Sequence, residues 1–358
     1  MFVRFRVIWW IALANLEKHK TKLGHYPSPP KLAFVAFQML FIAPVSVLLF
    51  FIDGLGIGTR GAHNPFDDLP DADPLAIFQD EEPGIPFGGV LAPTDACLGV
   101  EGRPQSASGQ TTILTGVNAS ATVGYHKQGF PNQALLDIIR EHSLFVQLKR
   151  AGVSPITFAN TYTKRFFESR PRWISATTAA VEAAGLRFNQ VEDLRAGAAV
   201  FHDFTNELLI ERLIERGEKV DLRTPDQAGE VLAGIVSANR FTLYEYFMTD
   251  KIGHAQDRDA ARRVLPMLAR FIRVLLGRLD LERSTVILTS DHGNIEDLSV
   301  RNHTLNPVPT IVWGRHRSRI APRIRSLTDI TPAIVDVLTK GAETNGELDN
   351  TGRAFAQD

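Results

Sequence analysis

The chain has 358 residues, 44% hydrophobic and 22% charged, enough apolar material for a large core beneath a charged surface. Its 39 Lys and Arg against 40 Asp and Glu leave a net charge of −1, so no global field collects nucleic acid or an anionic membrane, and any anionic ligand must be held by a local site. A single cysteine, Cys97, excludes an internal disulfide framework and suits a reducing compartment, which makes a cytoplasmic location the expectation.

Residues 1–44 differ from the rest. An apolar run with early arginines, MFVRFRVIWWIALANL, is followed by the basic, Pro-containing KHKTKLGHYPSPPK and a second apolar run from Leu32 to Ile52 that is long enough to span a bilayer. The end of that run, VSVLLFFI, has the unbroken apolar, β-rich character of a central parallel strand buried on both faces. The spacing predicts a strand over Val45 to Ile52 with Pro44 at its start. Residues 1–44 are then an N-terminal apolar extension, either upstream of a true start at Met39 or a membrane anchor. The first is favoured, because no long linker separates the run from the strand, and removal of residues 1–38 is expected to leave an active protein.

The strand runs into FIDGLGIG. An Asp-Gly pair is by itself an ordinary turn, but Asp53 at the end of a buried strand is desolvated unless a cation or hydrogen bonds satisfy it. Gly54, Gly56 and Gly58 let the backbone pack closely round a ligand. Further on, PQSASGQTTILTG places Ser106 and Ser108 in a small-residue turn before a helix-like TTILTG, whose N-terminus would direct N–H groups and positive dipole at a bound anion. A serine hydroxyl becomes a nucleophile only when a base or metal stabilises its alkoxide; without metal ligands the segment is simply a Ser-rich helix cap. His126 and Lys127 follow as weaker candidates for substrate contact.

Residues 144–227 change character, with TKRFFESRPRW, the Ala-rich ATTAAVEAAG and the amphipathic ELLIERLIERGEK, and are expected to form an inserted cap subdomain. Lys164, Arg165, Arg170 and Arg172 are candidates for gripping a phosphate or carboxylate, although a solvated charged face is the commoner meaning of such a run.

Beyond it, Phe241 to Met248 reads as a strand running into TDKIGH, where Asp250 and His254, four apart, share a helical face. A capping Asp followed by a surface His is the plain alternative. Ala260 to Leu279 has helical spacing, and Val286 to Thr289 is a strand running into SDHGN, with adjacent Asp291 and His292 and then Gly293. His303 precedes a Pro-bracketed NPVP, expected to be a rigid turn. Strands alternating with helices predict an α/β fold with a mostly parallel sheet. Three Asp residues just after apolar strands would then converge on the carboxyl edge where such sheets bind ligands. Carboxylates, imidazoles and one hydroxyl together are what two divalent ions and a phosphate ester require.

In motif order and content the chain resembles the alkaline phosphatase superfamily of metalloenzymes. It looks closest to the branch holding cofactor-independent phosphoglycerate mutase and phosphopentomutase. SDHGN followed by HTLNPVP is the most specific part, DKIGH matches the same branch, and the resemblance covers Val45 to about Ser143 and Ala228 to Leu338. It implies an α/β/α sandwich with a catalytic core of residues 45–143 and 228–358 around the small 144–227 cap. By the same resemblance Asp53, Ser106, Asp291 and His292 would hold one ion, and Asp250, His254 and His303 the other. SASGQTTILTG also has the layout of the sulfatase signature C-x-P-S-R-x-x-x-L-T-G, which places Ser106 in the attacking position with Ser108 as fallback. Gln110 stands where that signature has a basic residue, and this weakens a sulfatase reading.

What the resemblance implies is in-line attack by Ser106 on a small phosphorylated metabolite, giving a phosphoserine discharged by water or by a second hydroxyl. Mn²⁺ or Zn²⁺ suits the Asp/His/Ser set better than Mg²⁺. The runner-up is a phosphodiesterase or nucleotide pyrophosphatase with Phe166, Phe167 and Trp173 as a base-stacking slot. A non-catalytic metal-binding member, tethered to a membrane if the N-terminal run is an anchor, is the third reading.

Overall fold

The computed structural model of the protein describes residues 45–214 and 219–340. The 1–44 segment, with its two alternative readings, lies outside the described residues.

Six strands form one sheet: β1 (Ser46–Ile52), β2 (Val90–Thr94), β3 (Ile156–Phe158), β4 (Phe241–Tyr246), β5 (Ser284–Ser290) and β6 (Val308–Gly314), in the order β2-β6-β5-β1-β4-β3. β1 pairs in parallel with β4 and β5, and β4 with β3. β6 pairs antiparallel with both β5 and β2, so it alone runs against the others. SVLLFFI at β1 and STVILTS at β5 are buried at every residue, as central strands covered on both faces must be.

The covering helices are α1 (Ser106–Thr115), α2 (Gln133–His142), α3 (Leu144–Arg150), α4 (Ala176–Ala183), α5 (Glu207–Ile214), α6 (Pro225–Ala238), α7 (Met248–Ala255), α8 (Arg258–Arg278) and α9 (Ile330–Lys340). Alternate residues of β1 face opposite layers. Leu48, Phe50 and Ile52 pack with α6 and α8 on one side, and Val47, Leu49 and Phe51 with α1, α3, α4 and α9 on the other. The result is a three-layer α/β/α sandwich with a mostly parallel sheet. α8 carries buried apolar residues at Ala261, Leu265, Leu268, Ala269, Ile272, Leu275 and Leu276, the one-sided stripe of a core-facing helix, and starts on an Asp257 side chain that accepts from Ala260 N.

Three expectations change. The 144–227 stretch is not set apart from the core: β3 extends the sheet beside β4, and α3 and α4 supply Phe145, Leu148, Ala180 and Val181 to one of its two main cores. Its Arg- and Ala-rich pieces disguised a strand of only three residues. The helix after Gln105 begins at Ser106 itself rather than beyond the serines. NPVP is no turn, because Val308 already opens β6 and Pro309 sits opposite Pro93 of the edge strand β2. Among the described residues no helix is long and apolar enough to cross a membrane.

Candidate metal centre

The strand register assembles the site. Ile52 of β1 is level with Tyr246 of β4 and Ser290 of β5, so the next residues, Asp53 and Asp291, leave the sheet side by side, while α7 starts two residues past β4 and carries Asp250 in its first turn. Asp53 N bonds to Tyr246 O at 2.8 Å, and Leu55 N to Ser290 Oγ at 2.9 Å, tying the three loops together. Gly54 is required here: it sits at φ +75°, and a Cβ on it would lie 2.9 Å from Asp250 Cα. Gly109 lets α1 come equally close, since its Cβ would meet Asp291 Cβ at 3.0 Å.

All seven expected ligand residues come together, in two overlapping groups. In the first, His292 Nε2 lies 3.3 Å from Asp53 Oδ1, 3.5 Å from Asp291 Oδ2 and 3.0 Å from Ser106 Oγ. In the second, Asp250 Oδ1 lies 3.4 Å from both His254 Nε2 and His303 Nε2, and the two imidazole nitrogens are 3.1 Å apart. His292 stacks on His303 with ring centroids 3.6 Å apart and belongs by distance to either group, so adjacent Asp291 and His292 point into one centre and not to separate sides. Ser108 is fully buried, with its Oγ bonded to Gln105 O and Lys127 N, which leaves Ser106 as the serine at the cluster.

The donor chemistry fits a bound cation. His254 Nδ1 bonds to Arg301 O at 2.6 Å and His303 Nδ1 to Pro104 O at 2.7 Å. A carbonyl only accepts, so each Nδ1 carries its hydrogen and each Nε2 presents a lone pair. Two Nε2 lone pairs and Asp250 Oδ1 therefore converge with no donor among them, and a cation or an extra proton must sit between them. The first group also has unmet polar atoms: Asp53 Oδ1 and His292 Nδ1 are buried without a hydrogen bond. Burial, reinforced by the charges of Asp53 and Asp250, pushes Asp291 well above the usual carboxylate range, and burial likewise raises Asp53. For Asp250 burial also acts upward, but His303 and His292, when protonated, together with the Asn294 amide outweigh it and hold the group at about 2.

Three supporting side chains were not singled out as part of the site from the sequence. Gln110 Nε2 donates to Asp53 Oδ2 at 3.1 Å and to Asp291 Oδ2 at 3.2 Å, so the residue that breaks the sulfatase pattern bridges the two carboxylates. Asn294 Nδ2 donates to Asp250 Oδ1 at 2.7 Å. Glu296, 1% exposed, accepts from Gly56 N, Asn294 N, Thr304 Oγ1 and Asn306 Nδ2, stitching the loops after β1 and β5 to the loop before β6. The only signal for Asn294 and Glu296 was their place in the SDHGN-I-E run; the role of Gln110 needs the register of three strands.

From Ser106, Asp53 and Asp250 a cleft of about 520 Å³ opens, with Lys251 and Arg212 as its cations and Glu245 and His202 among its polar groups. The cations expected from the sequence lie elsewhere. Lys164 sits 3.9 Å from Glu168, Arg165 lines a neighbouring hollow, Arg170 pairs with Glu182 at 2.7 Å and Arg172 lies over the Trp173 ring. His126 is tied to Ser120 Oγ and Val100 O, and Lys127 Nζ bonds to Gln128 O. None of these six lines the cleft; of the four basic residues in the run, Lys164 and Arg170 have carboxylates of their own. Phe166 and Trp173 do line it, whereas Phe167 packs against Phe166 and Phe188. Burial pushes Glu245 up to about 7 against the hydrogen bond from Thr177, and burial lowers His202 to about 3, helped by the charges of Arg212 and Lys251.

Residues 179–340 match the Metalloenzyme superfamily, a span that holds Asp250, His254, Asp291, His292 and His303. Among curated proteins the chain is similar to 2,3-bisphosphoglycerate-independent phosphoglycerate mutases. That of Gloeothece citriformis is 25% identical over 154 residues, 38% of this chain and 29% of the relative. That of Desulforudis audaxviator is 30% identical over 144 residues, 36% of this chain and 28% of the relative. The match thus spans less than a third of the length of these relatives. Among solved structures, the PH0037 protein of Pyrococcus horikoshii aligns over 84% of this chain and 98% of its own, with TM-score 0.49 and 12% identity. A cold-active alkaline phosphatase from Shewanella sp. aligns over 82% and 99%, with TM-score 0.45 and 12% identity. Over residues 179–340, a little under half of its length, the chain is thus similar to the metalloenzyme superfamily, the resemblance that its motifs anticipate.

Proposed function

We propose that the protein is a two-metal phosphoryl-transfer enzyme, a phosphatase or phosphomutase, acting on a small phosphate monoester through a phosphoserine at Ser106. The observation that carries this reading is the placing of Ser106 Oγ, half-buried at the first turn of α1, 3.0 Å from His292 Nε2 and at the head of a cluster in which carboxylates and imidazoles converge. The similarity to proteins named as phosphoglycerate mutases supports phosphoryl transfer as the chemistry.

Asp53, Asp291, His292 and Ser106 would hold one ion, and Asp250, His254 and His303 the other. Divalent ions there would offset the charge of the phosphate oxygens and lower the pKa of the serine hydroxyl, with Mn²⁺ or Zn²⁺ matching the imidazole-rich set. The protein's own part is positional. α1 directs its positive N-terminal end toward the anion, Lys251 and Arg212 draw the ester into the cleft, and Gln110 holds Asp53 and Asp291 in place. Ser106 Oγ attacks phosphorus as the bond to the alcohol oxygen breaks. Water attacking the phosphoserine completes a phosphatase cycle, and a second hydroxyl completes a mutase cycle.

The test is hydrolysis of p-nitrophenyl phosphate and its bis-ester by EDTA-stripped protein titrated with Mn²⁺, Zn²⁺ or Mg²⁺. Metal-dependent monoester cleavage is the expected result. Preference for the bis-ester would transfer the assignment to a phosphodiesterase, a reading favoured only by Phe166 and Trp173 in the cleft. Silence toward both, with no metal bound, would overturn the enzyme reading.

A further inference from the structure

Glu245 lines the same cleft as Ser106, Asp53 and Asp250, yet makes no hydrogen bond or ion pair with any candidate ligand among the described residues. It stands one residue before the end of β4, level with Phe51 of β1. Its backbone is clamped by one side chain, Asn160, which donates to Glu245 O at 2.7 Å and accepts from Glu245 N at 2.9 Å. Its Oε2 accepts from Thr177 Oγ1 at 2.6 Å, and a relay of hydroxyls from Thr177 through Ser175 and Thr178 to Tyr162, each link 2.8 to 2.9 Å, backs that bond. The other oxygen, Oε1, has no hydrogen bond among the described residues, and the residue is half-buried where it lines the cleft.

We infer that Glu245 is a specificity-determining residue whose free carboxylate oxygen accepts a hydrogen bond from a hydroxyl or ammonium group on the alcohol part of the substrate. The inference rests on the phosphoryl-transfer reading of the adjoining serine. Ionised, as it is above about pH 7, the Glu245 carboxylate repels a phosphate dianion, so it is unsuited to the phosphoryl group itself and belongs to what the phosphoryl group is attached to. Once a ligand displaces water from the cleft, an acceptor held this firmly penalises any ligand that leaves it unpaired. His202 adds to the same demand, because it is buried in the cleft wall between the rings of Phe201 and Phe247, with Nε2 lacking a partner. Phe130 and Tyr162 offer apolar surface for the carbons between. The ligand class is a phosphate monoester of a short polyol or amino alcohol, against a plain alkyl ester.

The experiment compares n-propyl phosphate, glycerol 1-phosphate and O-phosphoethanolamine on the metal-loaded full chain. kcat/KM is measured first, and calorimetric affinity in the Ser106→Ala background serves as a readout that needs no turnover. One of the donor-bearing esters is expected to exceed the propyl ester by about a hundredfold. Glu245→Ala should bring that ratio to within about threefold, and Thr177→Val, which unseats the carboxylate, should lower it by a smaller factor. Glu245→Gln restores preference for the hydroxyl ester if the natural donor is a hydroxyl, and fails to restore preference for the ammonium ester if it is an amine. A ratio near one in the unaltered protein, or one that Glu245→Ala and Glu245→Gln both leave intact, overturns the inference. Loss of p-nitrophenyl phosphate hydrolysis in every metal would sink the enzyme reading instead, and the calorimetric ratios would still decide the role of Glu245.

Discussion

His254 and His303 turn Nε2 lone pairs toward each other across 3.1 Å because each gives its Nδ1 hydrogen to a main-chain carbonyl. At this scale the sequence was most informative about residue type and least about partners. Asp53, Asp250, Asp291 and the histidines were legible because acids and imidazoles directly after apolar strands are costly unless used. Gln110 was legible only as a departure from a signature, since nothing local says that its amide reaches two carboxylates far away in sequence. Gln110→Ala frees both oxygens, Asp53 Oδ2 and Asp291 Oδ2, and is expected to weaken metal binding by about 10- to 100-fold, read by competition against a chromogenic chelator. An unchanged affinity would make the amide a spectator. His202 gives a pH test. Its folded pKa near 3 lies below the ordinary 6.5, so the unfolded chain takes up a proton that the folded one refuses, and stability is lost as pH falls from about 6.5 toward 3. In metal-free urea unfolding, His202→Phe should remove up to about 1.4 kcal/mol per pH unit of that slope, and parallel slopes would contradict the burial assigned to it.

Elements were readable where an apolar pattern ran over a strand unbroken by proline or over several helical turns. The strand expected over Val45 to Ile52 is β1 at Ser46–Ile52, and the helix expected over Ala260 to Leu279 is α8 at Arg258–Arg278. The failures have physical causes. β3 has three residues and no pattern of its own, so only its pairing with β4 identifies it. Two prolines around Val308 imitate a turn, but β6 lies next to the edge strand β2, and both strands tolerate the missing N–H groups where Pro93 meets Pro309. The loops beyond β1 and β5 and the loop before β6 are joined by a single carboxylate, Glu296, with four donors around it. Glu296→Ala strands those donors and is expected to cost ~3 kcal/mol in chemical denaturation and to weaken metal binding with it. A loss confined to metal affinity, with stability intact, would show that the loops hold without Glu296.

Across the whole molecule, three carboxylates and three imidazoles meet at the carboxyl edge of a sheet whose other buried polar groups are uncharged hydroxyls or lie outside the centre, which makes the centre a weak point of the metal-free fold. An ion that binds only the folded chain stabilises it, so at a hundred times its dissociation constant each ion adds about 2.7 kcal/mol. Thermal scans should therefore show EDTA-stripped protein melting below the Mn²⁺- or Zn²⁺-loaded form; equal midpoints would mean that the cluster tolerates its own charge. The fold and the edge that holds the site were open to a reader of the sequence because parallel sheets put ligands there. The cleft was not, because its walls come from segments whose positions depend on the packing of the middle of the chain. The claim most exposed to failure is that Ser106 is phosphorylated. Metal-loaded protein incubated with p-nitrophenyl phosphate, quenched in acid and measured by intact mass and peptide mapping, should gain one phosphoryl group on the peptide containing Ser106, and none in Ser106→Ala or after EDTA. A phosphoryl group on another residue, or metal-dependent hydrolysis that survives Ser106→Ala, would contradict the account.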